Sequence, residues 1–157
     1  MRRKEKQILE KRQIENIIGN ATVCRLGMSD GQQPYIVPVC FGYQDNVIYI
    51  HSASEGRKMD LIRQNRNVCV EFDIHAWVIE GPSACSWGMA YQSVIGFGQA
   101  SFIEDTVEKQ AALNIIMQQY SDQQFHFDAG VVEKTAVIKI DVTRMTAKQS
   151  GSGAEMP

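Results

Sequence analysis

"PYIVPVCFGYQDNVIYIHSASEGRKMDLIRQN", residues 34–65, decides the fold. In 34–43, Tyr35, Val37, Val39, Phe41 and Tyr43 alternate with Ile36, Pro38, Cys40 and Gly42. The stretch reads as a strand that is apolar on both faces. "QDN" is a tight hairpin connection, and "VIYIHSA" (47–53) is the returning strand. "EGRK" then opens a helix over 55–65. Pro38 conflicts with a central strand, because proline donates nothing to a ladder. It marks an edge, a bulge, or a place where something other than a strand lies alongside.

Working outward, "ATVCRLGM" (21–28), "NVCVEFDIHAWVIE" (67–80, with room for a bend), "SVIGFGQASFIE" (93–104) and "TAVIKIDVTRMTAK" (135–148) read as further strands. Residues 2–18 read as a helix stopped by "GN" at 19–20. A second helix covers 106–120, with Asp105 and Glu108 as its capping box and Leu113, Ile116, Met117 and Tyr120 as its buried stripe. "GPSACSWGMAYQ" (81–92) reads as irregular. Six strands joined mostly as hairpins, with helices at the ends, predict a mainly β (α+β) fold: an antiparallel barrel with peripheral helices. Residues 1–148 are expected to form one domain and 149–157 a disordered tail.

Composition narrows the function. The chain has 157 residues, 44% of them hydrophobic, and a net charge of −2. That suits one ordinary core and leaves no basic excess for a nucleic-acid partner. The basic N-terminus lacks the apolar core of a signal peptide, and no apolar run reaches membrane-spanning length. A cytoplasmic chain with no membrane partner is the expectation. Cys24, Cys40, Cys69 and Cys85 form no C-x-x-C pair and are expected as reduced, largely buried thiols. A metal site would need His51, His75 and His126 to converge with them, and no ligand spacing supports one.

The chemistry concentrates near residue 57. Arg57 and Lys58 fall in the first helical turn, where the macrodipole is already positive and cations are disfavoured. An anion between them would reverse the conflict: helix-start N–H groups, the Arg57 fork, the Lys58 charge and the Ser52 and Ser54 hydroxyls all suit phosphate. Two solvated charges tolerated at a small cost explain the pattern as well. The stretch lacks P-loop spacing. "GFGQAS" (96–101) lacks the third glycine of a dinucleotide fingerprint and does not open a helix. "ACSWGMAYQS" (84–93) reads as a pocket lining or as a packed loop. No Ser–His–Asp order or carboxylate pair stands out. By default His51, beside the suspected site, is a hydrogen-bonded structural histidine.

Taken together, "PYIVPV" (34–39), "YIHSA" (49–53), "GRK" (56–58), "NRNV" (65–68) and "YQSVIGFG" (91–98) resemble the flavin-binding split-barrel proteins related to pyridoxamine 5′-phosphate oxidase. Within them the chain is most similar to the Nim-type 5-nitroimidazole resistance proteins. The resemblance implies a six-stranded split barrel and a homodimer with FMN in two clefts at the interface. Arg57 and Lys58 would grip the FMN phosphate, with His51 and Ser52 beside it. Val37, Pro38 and Val39 would lie along the isoalloxazine, and Ser93 would sit near the cofactor. The implied activity is an FMN-dependent reduction of nitro groups of 5-nitroimidazole-type compounds to amines, with a small aromatic nitro-heterocycle as substrate. His51 is then the candidate catalytic residue at the reactive face. The oxidase's C-terminal substrate-binding segment is not visible, so vitamin B6 oxidation is not expected. The competing readings are a non-enzymatic flavin or haem binder, with His51 or Cys85 as axial ligand, and a structural dimer with an empty cleft.

Overall fold

The computed structural model describes residues 3–151. The stretch 34–43 is two strands, β3 (Pro34–Val39) and β4 (Gly42–Gln44), interrupted at Cys40 and Phe41. Around them lie β1 (Gln7–Ile8), β2 (Cys24–Ser29), β5 (Val47–Ser52), β6 (Asn67–Ile79), β7 (Gly88–Ile103) and β8 (Ala136–Ser150). The helices are α1 (Lys11–Asn20), α2 (Arg57–Gln64), α3 (Thr106–Gln118) and α4 (Ala129–Lys134). The sheet is antiparallel with order β3-β2-β6-β7-β8-β5-β4, and β1 pairs with β8.

That order curls the sheet into an open barrel. The two end strands, β3 and β4, are joined through two residues, so the Cα atoms of Val39 and Gly42 lie within roughly 11 Å. Only a curled sheet brings its opposite edges that close. Asp45 and Asn46 take the positive φ values (50° and 66°) of a tight hairpin and turn β4 into β5. Inside the barrel lie Cys24, Leu26, Phe41, Ile48, Ile50, Val70, Phe72, Val94, Ile138 and Ile140, all 0–1% exposed. A second cluster, with Leu113, Ile116, Val132 and Val137, seats α3 and α4.

Two contacts hold α3 and the turn that follows it against the split strand. A Cβ on Gly42 would stand 2.6 Å from the backbone of Ile115 and Ile116, so the approach requires glycine. Phe41, left without a ladder partner, donates its N–H to Tyr120 Oη at 2.9 Å, and that hydroxyl donates to the Thr22 carbonyl at 3.2 Å. The Phe41 ring tilts against Phe72, with centroids 4.8 Å apart.

Several expectations are corrected. The helix expected over 2–18 is a 3-10 turn at Lys4–Lys6, then β1, then α1. Ile8 reaches the core as a strand residue paired with Ala147, while Leu9 stays exposed. α1 ends at Asn20, at the expected stop, and Gln119 Nε2 donates to the carbonyls of Ile18, Gly19 and Ala21 there. Residues 88–92 are strand: past an irregularity between Ile74 and Trp77, β6 pairs again with β7. α4 lies in 121–134, a stretch given no element in the sequence reading. Asp105 caps α3 by accepting from Val107 and Glu108 N–H, but α3 ends at Gln118, so Tyr120 lies beyond it and is exposed. Only Cys24 is a buried thiol, pushed up to about 12 by burial; Cys69 faces outward half-buried, and Cys40 and Cys85 are exposed. Gln149 and Ser150, expected in the tail, end β8 opposite Gln92 and Tyr91. The rest of that expected tail, 152–157, lies outside the described residues.

Candidate functional site

The β4–β5 ladder pairs Gly42 with Tyr49, Tyr43 with Ile48 and Gln44 with Val47. Continued, that register would set Cys40 opposite His51 and Val39 opposite Ser52, and neither pair forms. Instead β5 stays on β8 as far as Ser52↔Ala136, and β3 stays on β2 as far as Pro34↔Ser29. The two strands diverge from Gly42 and Tyr49, and the gap between their open edges is the split. Val37 and Val39 pack inward on the core, while Ile36 and Pro38 face out and are exposed. Pro38 therefore occupies an edge strand, where a missing donor is tolerated.

α2 lies at the mouth of this gap. Its N-cap is Gly56, with φ 115° and no side-chain cap, so neither Ser52 nor Ser54 caps it. The Gly56 carbonyl accepts from Met59 and Asp60 N–H. Among the described hydrogen bonds, the backbone N–H groups of Arg57 and Lys58 have no acceptor. They are two of the orphan donors of a helix start. Met59, Leu61 and Ile62 bury α2 into the core and fix that start. The Arg57 guanidinium lies over the Tyr35 ring, 4.7 Å from its centroid, and Nη2 donates to Gln33 Oε1 at 3.3 Å. Arg57 thus reaches across the gap to the beginning of β3. Lys58 is half-buried, and desolvation holds its pKa below the usual lysine value. Two orphan N–H groups, a seated guanidinium and a desolvated ammonium are donors of the kind an anion takes.

Arg57 meets Gln33 and Tyr35 at the start of β3, the strand that carries Val37, Pro38 and Val39; Lys58 follows it on α2, and Ser52 ends β5. His51 stands on the rim of the split, exposed on the outward face of β5 and paired with Val137. Ser93 is not brought in. It faces outward on β7, paired with Asp73 and Lys148, and β2 and β6 separate it from β3. Three strand spacings put it roughly 14 Å away. Sequence reading missed Tyr35 and Gln33 as the seat of Arg57; the aromatic next to Pro34 was the available signal. It also missed Arg25, which pairs with Glu71 at 2.9 Å and with Asp73 on the outer face. Burial, more than Asp73, raises the Glu71 pKa against the pull of Arg25.

A family profile described as pyridoxamine 5′-phosphate oxidase matches residues 10–149. The chain belongs to this family. Its open antiparallel sheet with peripheral helices is the split barrel of the pyridoxamine 5′-phosphate oxidase family. A candidate 5-nitroimidazole antibiotic resistance protein from Bacteroides thetaiotaomicron is 38% identical, with a TM-score of 0.83, over 91% of this chain and 86% of its own. The flavocytochrome Anf3 from Azotobacter vinelandii shares the fold at 18% identity, with a TM-score of 0.84, over 97% of this chain and 72% of its own. An FAD and heme binding protein from Mycobacterium smegmatis shares it at 14% identity, with a TM-score of 0.80, over 94% and 74%. None of the curated proteins matches this family member. No helix among the described residues is long and apolar enough to cross a membrane.

Proposed function

We propose that the chain is an FMN-dependent reductase, acting as a homodimer, that converts the nitro group of 5-nitroimidazole-type compounds to an amine. The observation that carries the reading is the start of α2. There, unpaired N–H groups, Arg57 and Lys58 stand beside the open edge of β3. One helix start suits one terminal phosphate, which favours a flavin mononucleotide. The 38% identical relative supports the nitroimidazole substrate class.

In this reading Arg57, Lys58 and their backbone N–H groups hold the phosphate. The open edge of β3 from Val37 to Val39 lies along the ring, and Ser52 lines the opposite edge. When bound, the flavin supplies the electrons, six per nitro group, drawn from an external reductant and matched by six protons with release of two waters. His51, on the rim, holds a proton on its imidazole for delivery to the substrate. Ser93 would join the site from a second copy, whose outer face is apolar at Ile36, Ile95 and Phe97.

The flavocytochrome and the FAD and heme binding protein support a second reading: a flavin or haem carrier without turnover. The purified protein's absorption spectrum separates haem from flavin. Incubation with chemically reduced FMN and a 5-nitroimidazole, followed by mass analysis, then tests the reaction. The amine is expected; flavin bound with the nitro compound recovered unchanged would leave the carrier reading standing.

A further inference from the structure

A second concavity lies apart from the open edge of β3. It has a volume of about 310 Å³ and opens between α2, the start of α3 and the adjoining ends of β7 and β8. Its floor is apolar, with Met59, Phe102 and Val137. Its walls carry Arg63, Lys109 and Lys134. Arg63 is held in place: its guanidinium lies 5.7 Å from the Phe102 centroid, and it donates to Asp60 at 3.1 Å and to the Ser54 carbonyl at 3.3 Å.

Lys109 is the unusual member. At 8% exposure it is the one buried charged side chain among the described residues. Its Nζ donates to the Glu133 carbonyl at 3.3 Å, a cap on the last turn of α4. That bond accounts for one of three ammonium donors, and a neutral carbonyl does not compensate a buried charge. Among the described residues no carboxylate lies within 4.0 Å of Lys109 or Lys134 Nζ. Glu104 and Glu133 also line the cavity. Arg63 is already paired with Asp60, so among the described residues Lys109 and Lys134 are the cations of the lining without a carboxylate partner, and the two carboxylates beside them disfavour a phosphate dianion.

We propose that this cavity binds a small organic monoanion, a carboxylate carried on a compact apolar body. The carboxylate takes the free donors of Lys109 and Lys134, and the body rests on Met59, Phe102 and Val137. The proposal does not rest on the flavin reading, because the cavity shares neither Arg57 nor the edge of β3.

The probe is benzoate, titrated by calorimetry into the full chain without added flavin. Saturable binding is expected, with acetate and inorganic phosphate weaker for want of an apolar body, and benzyl alcohol silent. Lys134→Gln should weaken benzoate by roughly tenfold, the scale of a lost charge-assisted hydrogen bond. Glu104→Gln should tighten it by about threefold, the scale of one like charge removed near a surface. Both side chains are exposed, so folding is not at stake as it is for Lys109→Met. Arg57→Ala should leave benzoate binding unchanged. No saturation, equal binding of benzyl alcohol, indifference to Lys134→Gln and Glu104→Gln, or loss of benzoate on Arg57→Ala would each overturn the proposal.

Discussion

Lys58 carries two unfavourable effects at once: it opposes the dipole of α2 and it is half-buried. Its folded pKa lies below the ordinary value, so the folded state disfavours the cation. That penalty is present in full below the lowered pKa and is relieved as pH rises from there toward 10.5. A phosphate beside it reverses the sign. NMR of the Lys58 ε-methylene should show titration below the usual lysine range in the cofactor-free chain and a rise once FMN saturates it. A titration that FMN leaves unmoved would place the phosphate elsewhere. For His51 the expected result is kinetic: His51→Asn should keep FMN yet lower nitro reduction by roughly 10²-fold, the scale of a lost general acid. Loss of FMN and earlier unfolding, with normal turnover of the residual holo fraction, would make His51 structural. Arg57 and Lys58 were legible in the sequence because they violate a local rule. Their seats were not, because Gln33 and Tyr35 meet Arg57 only after a hairpin and a helix have folded back.

At the scale of elements, the split depends on how α3 grips the broken strand. Tyr120→Phe removes the acceptor of the Phe41 N–H. It should destabilise the fold by about 1–3 kcal/mol, the cost of an unsatisfied buried donor, seen as a lower urea midpoint with an unchanged m-value. Gly42→Ala presses a methyl into the Ile115–Ile116 backbone. It should cost about 1–3 kcal/mol or more as an overpacked contact, and no loss in the same denaturation experiment would contradict the packing described. Sequence periodicity identified the six long strands and the helices at 57 and 106. The break at Cys40 and Phe41 was invisible to it, because both residues continue the apolar alternation and the partner of the freed Phe41 N–H is Tyr120, 79 residues later in the chain. The N-terminal helix was over-extended for a related reason. Ile8 fits a helical stripe as well as a strand, and pairing with Ala147 decides between them.

At the scale of the molecule, one barrel leaves a face uncovered. Ile36 is 65% exposed, and Ile95 and Phe97 share the outward face of the sheet with it. A two-fold dimer burying on the order of 2,000 Å² would cover that face and supply Ser93 to the neighbouring cleft. Sedimentation at micromolar concentration should give a dimer; a monomer that retains FMN would refute the shared site. The fold class was legible from hairpins and alternation, whereas the homodimer is an expectation from the apolar excess on 34–43 that this sedimentation tests. The central claim, that the start of α2 at the split grips a flavin phosphate, is tested most directly by measuring the affinities of FMN and riboflavin side by side for the wild type, Arg57→Ala and Lys58→Ala. FMN should bind far more tightly than riboflavin and lose about 1.5–3 kcal/mol in each variant, the worth of a hydrogen bond to a charged group, while riboflavin barely responds. Equal losses for the two flavins, or equal affinities in the wild type, would contradict it.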